Sequence, residues 1–406
     1  MSMMNKNLTS VRGITCWGAH SGIKSMRRDL AIIKSDVPAS AAGVFTQNSV
    51  VAEPVKLTKE HIKSGIAQVI VCNAGNANAC TGKQGFEGAL AMAETTAEAL
   101  NIEKEKVLVA STGLIGEPFP TDDIVKGIKE NMPKLTNDLK AGSFAANAIL
   151  TTDTFAKEGF QEFELDGRHV NLSGIAKGSG MIHPNMATML SFIVSDVNIS
   201  PEMLQKALKH CVDVSFNMIT VDGDTSTNDM VLVLANGLAE NRRIESEDDP
   251  LFYQFRDKLE ELMIHLAELI ISDGEGASKF IEYEIVNAEN DEKARKLART
   301  ISVSSLVKTA MFGRDPNWGR IVCAAGNSGT EFNYEKADLF IGDKTQLFQV
   351  LDQGKPISYD KNYLKKMLRE SHIRVKLVVN EGEANAKAWG TDLTTDYVLF
   401  NSVYTT

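Results

Sequence analysis

Residues 178–194, Gly-Ser-Gly-Met-Ile-His-Pro-Asn-Met-Ala-Thr-Met-Leu-Ser-Phe-Ile-Val, set Thr188 between a loop broken by two glycines and Pro184 and an apolar run. A hydroxyl presented in this way can serve as a nucleophile and, if it attacks the carbonyl that precedes it, can cut its own chain. The same residues also read as a turn followed by a strand, because Gly, Asn and Pro favour turns and β-branched residues favour strands. On local pattern the strand reading is the stronger. The seven histidines form no His-x-x-x-His pair, and no Gly-x-Ser-x-Gly elbow occurs, so the hallmarks of zinc hydrolases and α/β-hydrolases are missing. His183 is near Thr188 in sequence, but Pro184 intervenes and a structural role in the loop is at least as well supported.

A second constellation, this one acidic, is Asp222-Gly-Asp224-Thr-Ser-Thr-Asn228-Asp229, which gathers oxygen ligands in a glycine-containing loop. It fails the calcium-loop test, since the sixth position is Thr227 instead of Gly and the twelfth is Val233 instead of Glu. A polar turn or a hydrogen-bonded wall of a site is expected there, with no metal. The run Val71-Cys-Asn-Ala-Gly-Asn-Ala-Asn-Ala-Cys-Thr-Gly82 reads as a tight loop or a close approach to a ligand. No P-loop and no Gly-x-Gly-x-x-Gly after a strand is present, which removes the phosphate-cradle and Rossmann readings.

Strand-like and helical patterns alternate along the chain and must position these residues. Gln68–Asn73, Val107–Ser111, Tyr283–Asn287, Arg374–Val379 and Tyr397–Phe400 read as strands, and the run after Thr188 as another. Helices are predicted over Gly85–Leu100, from a Thr121 cap with Asp122 and Asp123 in its first turn, after Ser200-Pro201, over Leu251–Ile271 and over Tyr363–Glu370. Asp166-Gly167, flanked by Phe163, Leu165, Val170 and Leu172, is a hairpin signal leading into the Thr188 loop. The glycines of Thr112-Gly113-Leu-Ile-Gly116 permit close backbone approach directly after a strand. The fold class expected is α/β or α+β, in one body or two closely packed halves, since no Pro/Ser-rich linker or repeat occurs.

With 406 residues, 43% hydrophobic and 24% charged, the chain has the composition of an ordinary globular protein. Its formal net charge of −10 argues against non-specific nucleic-acid or anionic-membrane binding and favours small-molecule chemistry. Five scattered cysteines without Cys-x-x-Cys spacing point to a reducing compartment. The first residues lack an apolar signal core and no apolar stretch approaches a membrane span, so a cytoplasmic location is expected.

Several separate motifs occur together: Ser111-Thr-Gly-Leu-Ile-Gly116, Thr151-Thr-Asp-Thr154, Gly174–Leu190, Thr220–Asp229 and Asp273-Gly-Glu-Gly276. With Gly313-Arg-Asp-Pro-Asn-Trp-Gly-Arg320 and the C-terminal Asn401-Ser-Val-Tyr-Thr-Thr406, they resemble the ArgJ family, bifunctional glutamate N-acetyltransferase/ornithine acetyltransferases of arginine biosynthesis. The resemblance implies a layered α/β sandwich in the style of N-terminal-nucleophile enzymes. It further implies self-cleavage between Ala187 and Thr188 into an α chain, 1–187, and a β chain, 188–406, assembled as an α2β2 heterotetramer. Thr188 then becomes an N-terminal nucleophile whose own α-amine, with an ordinary pKa of about 7.7–8.0, can serve as its base.

By the same resemblance Thr112 and Gly113 match oxyanion-hole positions, and Thr151, Lys177, Thr188, Glu275, Asn401 and Thr406 match substrate-binding positions. Lys177 suits a carboxylate and Glu275 an ornithine ammonium. Taken alone, Lys177 and Glu275 would be solvated charges and Thr406 a frayed terminus. The activity implied is acetyl transfer from N2-acetylornithine to glutamate through an acetyl-Thr188 intermediate, with no cofactor. No recognisable coenzyme A motif separates members that also use acetyl-CoA as donor from those that do not. Two other readings share parts of the pattern: an N-terminal-nucleophile amidohydrolase or aminopeptidase, in which water is the acceptor, and a non-catalytic small-molecule-binding protein in which Thr188 only opens a strand.

Overall fold

The long strand Leu30–Phe45 organises the first of two sheets in this computed structural model, which describes residues 6–183 and 189–403. Ala187, Thr188 and Thr406 lie outside the described residues. The first half of the long strand pairs antiparallel with Ile14–Ala19, and its second half with Met230–Ala235. Its pairing with Ile66–Asn76 shifts register between Lys34 and Ala39, a stretch that includes Pro38, which has no N–H to give to a ladder. The main path of the sheet runs Val107–Leu114, Ile66–Asn76, Leu30–Phe45, Met230–Ala235, Leu190–Ser195, Arg168–Lys177, Lys157–Leu165. Leu190–Ser195 and Met230–Ala235 are parallel neighbours, buried at every position, and so read as continuous apolar runs instead of alternating ones.

The second sheet is built from residue 219 onward, in the order Lys355–Pro356, Leu347–Asp352, Asp338–Asp343, His372–Val378, Phe280–Ala288, Ala384–Thr391, Ile219–Thr220. Helices Pro201–Val214 and Pro250–Ser272 share one buried core with side chains of both sheets, among them Leu172 and Ile193 of the first and Tyr283 of the second. On other surfaces of the first sheet, Ala141 and Ala145 of helix Leu139–Ala148 pack with Ile33 and Phe192, while Met92 of helix Gly82–Leu100 packs with Val69 and Val109. The architecture is therefore a layered, mixed α/β fold with helices between and outside two sheets.

The hairpin forms as its dipeptide requires, with Asp166 and Gly167 at φ 54° and 69° between paired strands. Ser200 caps its helix by accepting a hydrogen bond from Met203 N. Two expectations change. Tyr397–Phe400 is not a strand: it lies in helix Thr395–Val403, whose first turn is held by Tyr397 N donating to Thr394 Oγ1 at 3.1 Å. Thr121 is the first residue of helix Thr121–Asn131, and Pro120 occupies the cap position. No helix among the described residues is long and apolar enough to cross a membrane.

Candidate active site

The strand Val107–Leu114 ends against a glycine of its parallel neighbour, Gly75 opposite Gly113. Gly113 has φ +133°, and a Cβ there would lie 2.3 Å from the Gly75 carbonyl carbon, so only glycine fits. Side-chain amides fix this strand end. Ser111 Oγ donates to Asn73 Oδ1 at 2.5 Å, and Asn228 Nδ2 donates to the carbonyls of Ser111 and Ala77 at 2.8 and 2.5 Å. The run of small polar residues after Gln68 is thus a set of struts: Asn76 Nδ2 donates to Pro118 O and Asn78 Nδ2 to Gly85 O.

Lys177, the last residue of strand Arg168–Lys177, is buried and reaches Thr112, with Nζ 3.4 Å from Oγ1. Behind it lies a buried ionic cluster that sequence inspection did not single out. Lys157 Nζ sits 2.6 Å from Asp153 Oδ1 and 2.5 Å from Asp273 Oδ2. Asp153 also accepts hydrogen bonds from Gly178 N and Thr151 N, and Asp273 from Thr154 N and its hydroxyl. Burial alone would raise the Asp153 carboxyl, but the ammoniums of Lys177 and Lys157 and the Gly178 hydrogen bond hold it at about 2. One cluster therefore ties the Thr151 loop, the turn after Lys177 and the end of helix Pro250–Ser272 together.

Glu275 follows that helix end, its N–H donating to Ser179 O at 2.9 Å, and Asn401 Nδ2 donates to its Oε2 at 3.2 Å. The carboxylate lies against Gly180, where a Cβ would come within 2.2 Å of Oε2. The acidic loop takes the hydrogen-bonded role expected for it. Asp222 accepts from Met181 N, Ile182 N and Asp224 N at 2.7, 2.9 and 3.2 Å, and from the Tyr397 hydroxyl at 3.2 Å. Both its oxygens are thereby engaged, and it clamps the segment approaching Pro184 to the C-terminal helix. Among the described residues no group of three or more His, Cys, Asp or Glu is placed to hold a metal ion.

His183 is held between Thr220 Oγ1 and Arg299 Nη2, each 3.2 Å from a ring nitrogen. Burial, and then the Arg299 guanidinium, lower its pKa to about 4, so the ring is neutral near pH 7.

These elements enclose a cavity of about 180 Å³. Thr112, Gly113, Thr151, Lys177, Glu275 and Asn401 all line it, so six positions spread over 290 residues of sequence meet at one place. Thr152, a neighbour readily confused with Thr151, lines it too. Tyr397, Asp222 and Asp229 belong to the same wall; the sequence offers the two aspartates as part of a polar turn or site wall without individual roles, and does not offer Tyr397. The signals in sequence for the two aspartates are the oxygen-rich loop Asp222–Asp229 and the Thr220–Asp229 motif. Among the described lining residues Lys177 is the one cation, against the carboxyl groups of Asp222, Asp224, Asp229 and Glu275. Such a site can grip a small molecule bearing both a carboxylate and an ammonium.

The family identity follows from sequence comparison. The sequence model of the ArgJ family matches residues 15–406. The arginine biosynthesis bifunctional protein ArgJ of Staphylococcus epidermidis is 47% identical over 407 residues, covering 100% of both chains. Its counterpart in Thermotoga neapolitana is 48% identical over 398 residues, or 97% of this chain and 99% of the relative. A solved structure of ornithine acetyltransferase from Mycobacterium tuberculosis, complexed with ornithine, is 34% identical; the match covers 46% of this chain and 98% of that one, with a TM-score of 0.42. At such identity along essentially the whole length, this chain belongs to the ArgJ family.

Proposed function

We propose that the chain transfers the acetyl group of N2-acetylornithine to glutamate, giving ornithine and N-acetylglutamate. The observation that carries this reading is the meeting of Thr112, Gly113, Lys177 and Glu275 around one cavity in a member of a family whose named relatives serve arginine biosynthesis. Thr188 Oγ attacks the acetamide carbonyl, its proton passing to the α-amine of the same residue. The tetrahedral oxyanion is stabilised by the Thr112 hydroxyl and the Gly113 N–H, and its collapse protonates and expels the ornithine amine. The glutamate amine then attacks the acetyl ester, and the Thr188 hydroxyl is restored. Lys177 binds the substrate carboxylate, Glu275 the ornithine ammonium, and Thr151, Asn401 and Thr406 complete the binding set.

Atoms balance without a prosthetic group, so we assign no cofactor; acetyl-CoA would enter, if used, as an alternative donor to the same hydroxyl. The N-terminal amine requires cleavage at Ala187–Thr188, with Thr188 attacking the Ala187 carbonyl and water releasing the ester. Strands Leu190–Ser195 and Met230–Ala235 lie in the first sheet between strands from before position 187. The fragments 1–187 and 188–406 would accordingly stay joined, and we assign them to an α2β2 heterotetramer. All five cysteines are free thiols, which accords with a cytoplasmic location.

Denaturing mass measurement of the active protein tests the reading. Two fragments are expected in place of one chain of 44.3 kDa, and Thr188→Ala should abolish both cleavage and turnover. Hydrolysis of N2-acetylornithine exceeding transfer at saturating glutamate would make the chain an amidohydrolase instead. An intact chain that takes up no acetyl group would make it a binding protein.

A further inference from the structure

One acidic side chain of the cavity has no part in the reaction as written. Asp229 lines the cavity, is 2% exposed, and its Oδ2 has no hydrogen-bond partner among the described residues. Its backbone is pinned on both sides. Asn228 is bound to the carbonyls of Ser111 and Ala77, Asp229 O accepts from Thr46 N at 2.9 Å, and Met230 N donates to Met189 O at 3.1 Å. The residue is thus fixed between the strand end carrying Thr112 and Gly113 and the start of strand Leu190–Ser195, with its side chain lining the cavity. Asp222 differs in having both oxygens engaged. An unpaired buried polar atom is costly, and one that survives in a site wall calls for an occupant that satisfies it.

The geometry points to Asp229 as a further catalytic residue, one that donates a hydrogen bond from Oδ2 to the acyl group bound in the cavity; this rests on the acetyl-transfer reading. Burial raises its carboxyl well above the usual carboxylate range, with Ser226 and the Lys177 charge acting the other way. A carboxyl raised in this manner keeps its proton to higher pH than an exposed one, and while protonated it can donate from Oδ2. The other acids of the cavity are Asp222, Asp224 and Glu275, so among the described lining residues the Lys177 charge and the hydrogen bonds of Ser226 oppose the protonated form.

The test compares Asp229→Ala with Asp229→Asn, the second keeping shape and a donor. Kinetics of acetyl transfer from N2-acetylornithine to glutamate should show kcat reduced on the order of 10²-fold for Asp229→Ala, the usual effect of losing one donor at a reacting oxygen. KM should change little, and the melting temperature should be unchanged or higher, which a merely structural role would not produce. Asp229→Asn should recover most of the loss. Turnover of Asp229→Ala within twofold of wild type would overturn the proposal, as would an Asn variant no better than Ala. Should the Ala variant fail to fold, kcat of Asp229→Asn decides: near wild type supports donation, and a loss as large as that expected for Ala overturns it. Wild-type protein that transfers no acetyl group would instead sink the underlying reading, which makes the two failures distinguishable.

Discussion

Gly75 and Gly113 stand opposite one another in a parallel pair of strands, both at positive φ, and the nearest approach open to a Cβ on Gly113 is 2.3 Å from the Gly75 carbonyl carbon. The obstacle is backbone, which cannot swing aside as the tip of a side chain can. Gly113→Ala should therefore move the strand end that presents Thr112 and the Gly113 N–H. A strained φ costs about 1–3 kcal/mol, and misplacing an oxyanion donor costs a further ~10²-fold in kcat. Urea unfolding and steady-state kinetics would show both losses; full kcat in the variant would mean that this strand end does not stabilise the oxyanion.

Gly180 presents the opposite case, because the atom a Cβ would meet, 2.2 Å away, is Oε2 of Glu275, the end of a flexible side chain. Gly180 is not at positive φ, so alanine brings no backbone strain. Gly180→Ala should leave the melting temperature nearly unchanged while displacing the Glu275 carboxylate and its hydrogen bond from Asn401. A charged hydrogen bond is worth about 1.5–3 kcal/mol, so the KM for N2-acetylornithine should rise roughly 10- to 100-fold, matching Glu275→Gln. An unaltered KM in both variants would show that Glu275 does not hold the ornithine ammonium.

The contrast between these glycines shows what sequence could and could not convey. Local rules act over a few residues, which is why the Asp166-Gly167 hairpin, the Ser200 cap and the helix ending before Asp273-Gly274 were legible. Tyr397–Phe400 misled because four apolar residues suit a strand or a helix, and the deciding hydroxyl, Thr394, lies outside the run. Leu30–Phe45 was invisible because its alanines, serines and Pro38 carry weak β-preference and its pairing is dictated by distant partners. Lys177 and Glu275 were identified only by resemblance, since burial is set by tertiary structure. The Asp153–Lys157–Asp273 cluster escaped notice because 116 residues separate Lys157 from Asp273.

His183 supplies a pH dependence whose sign can be worked out. In the folded chain its pKa is lowered to about 4, while in the unfolded chain it stays near 6.5. Between these values the unfolded state binds the extra proton, so stability is full above pH 6.5 and falls as pH drops toward 4. After allowance for partial solvent screening, about 2 kcal/mol is at stake. Asp153, held at about 2, acts only below this window, whereas the raised Asp222 and Asp229 act within it in the opposite sense. The difference between wild type and His183→Gln therefore isolates the imidazole. Urea midpoints measured from pH 7 to 4 should fall less steeply for the variant; parallel curves would refute the assignment.

Lys157 offers the most stringent test of what holds the cavity together, because it is completely buried between two carboxylates whose side chains are 0% and 3% exposed. Replacing it with Met fills the space but leaves Asp273 without its paired ammonium and Asp153 with the Lys177 charge alone. Removing one partner of a buried ion pair costs about 3–5 kcal/mol, and much of that cost is the uncompensated charge left behind. Lys157→Met should thus destabilise strongly, while adding Asp153→Asn and Asp273→Asn should restore part of the loss by removing both charges. Asp153 also receives the N–H groups of Thr151 and Gly178, so the single variant should loosen the Thr151 loop and the turn after Lys177. Transfer activity should accordingly fall at urea concentrations where circular dichroism still reports a folded chain. A loss of stability under about 1 kcal/mol would place Lys157 among weak, solvent-screened pairs, and would mean that the cavity walls are held by the surrounding core alone.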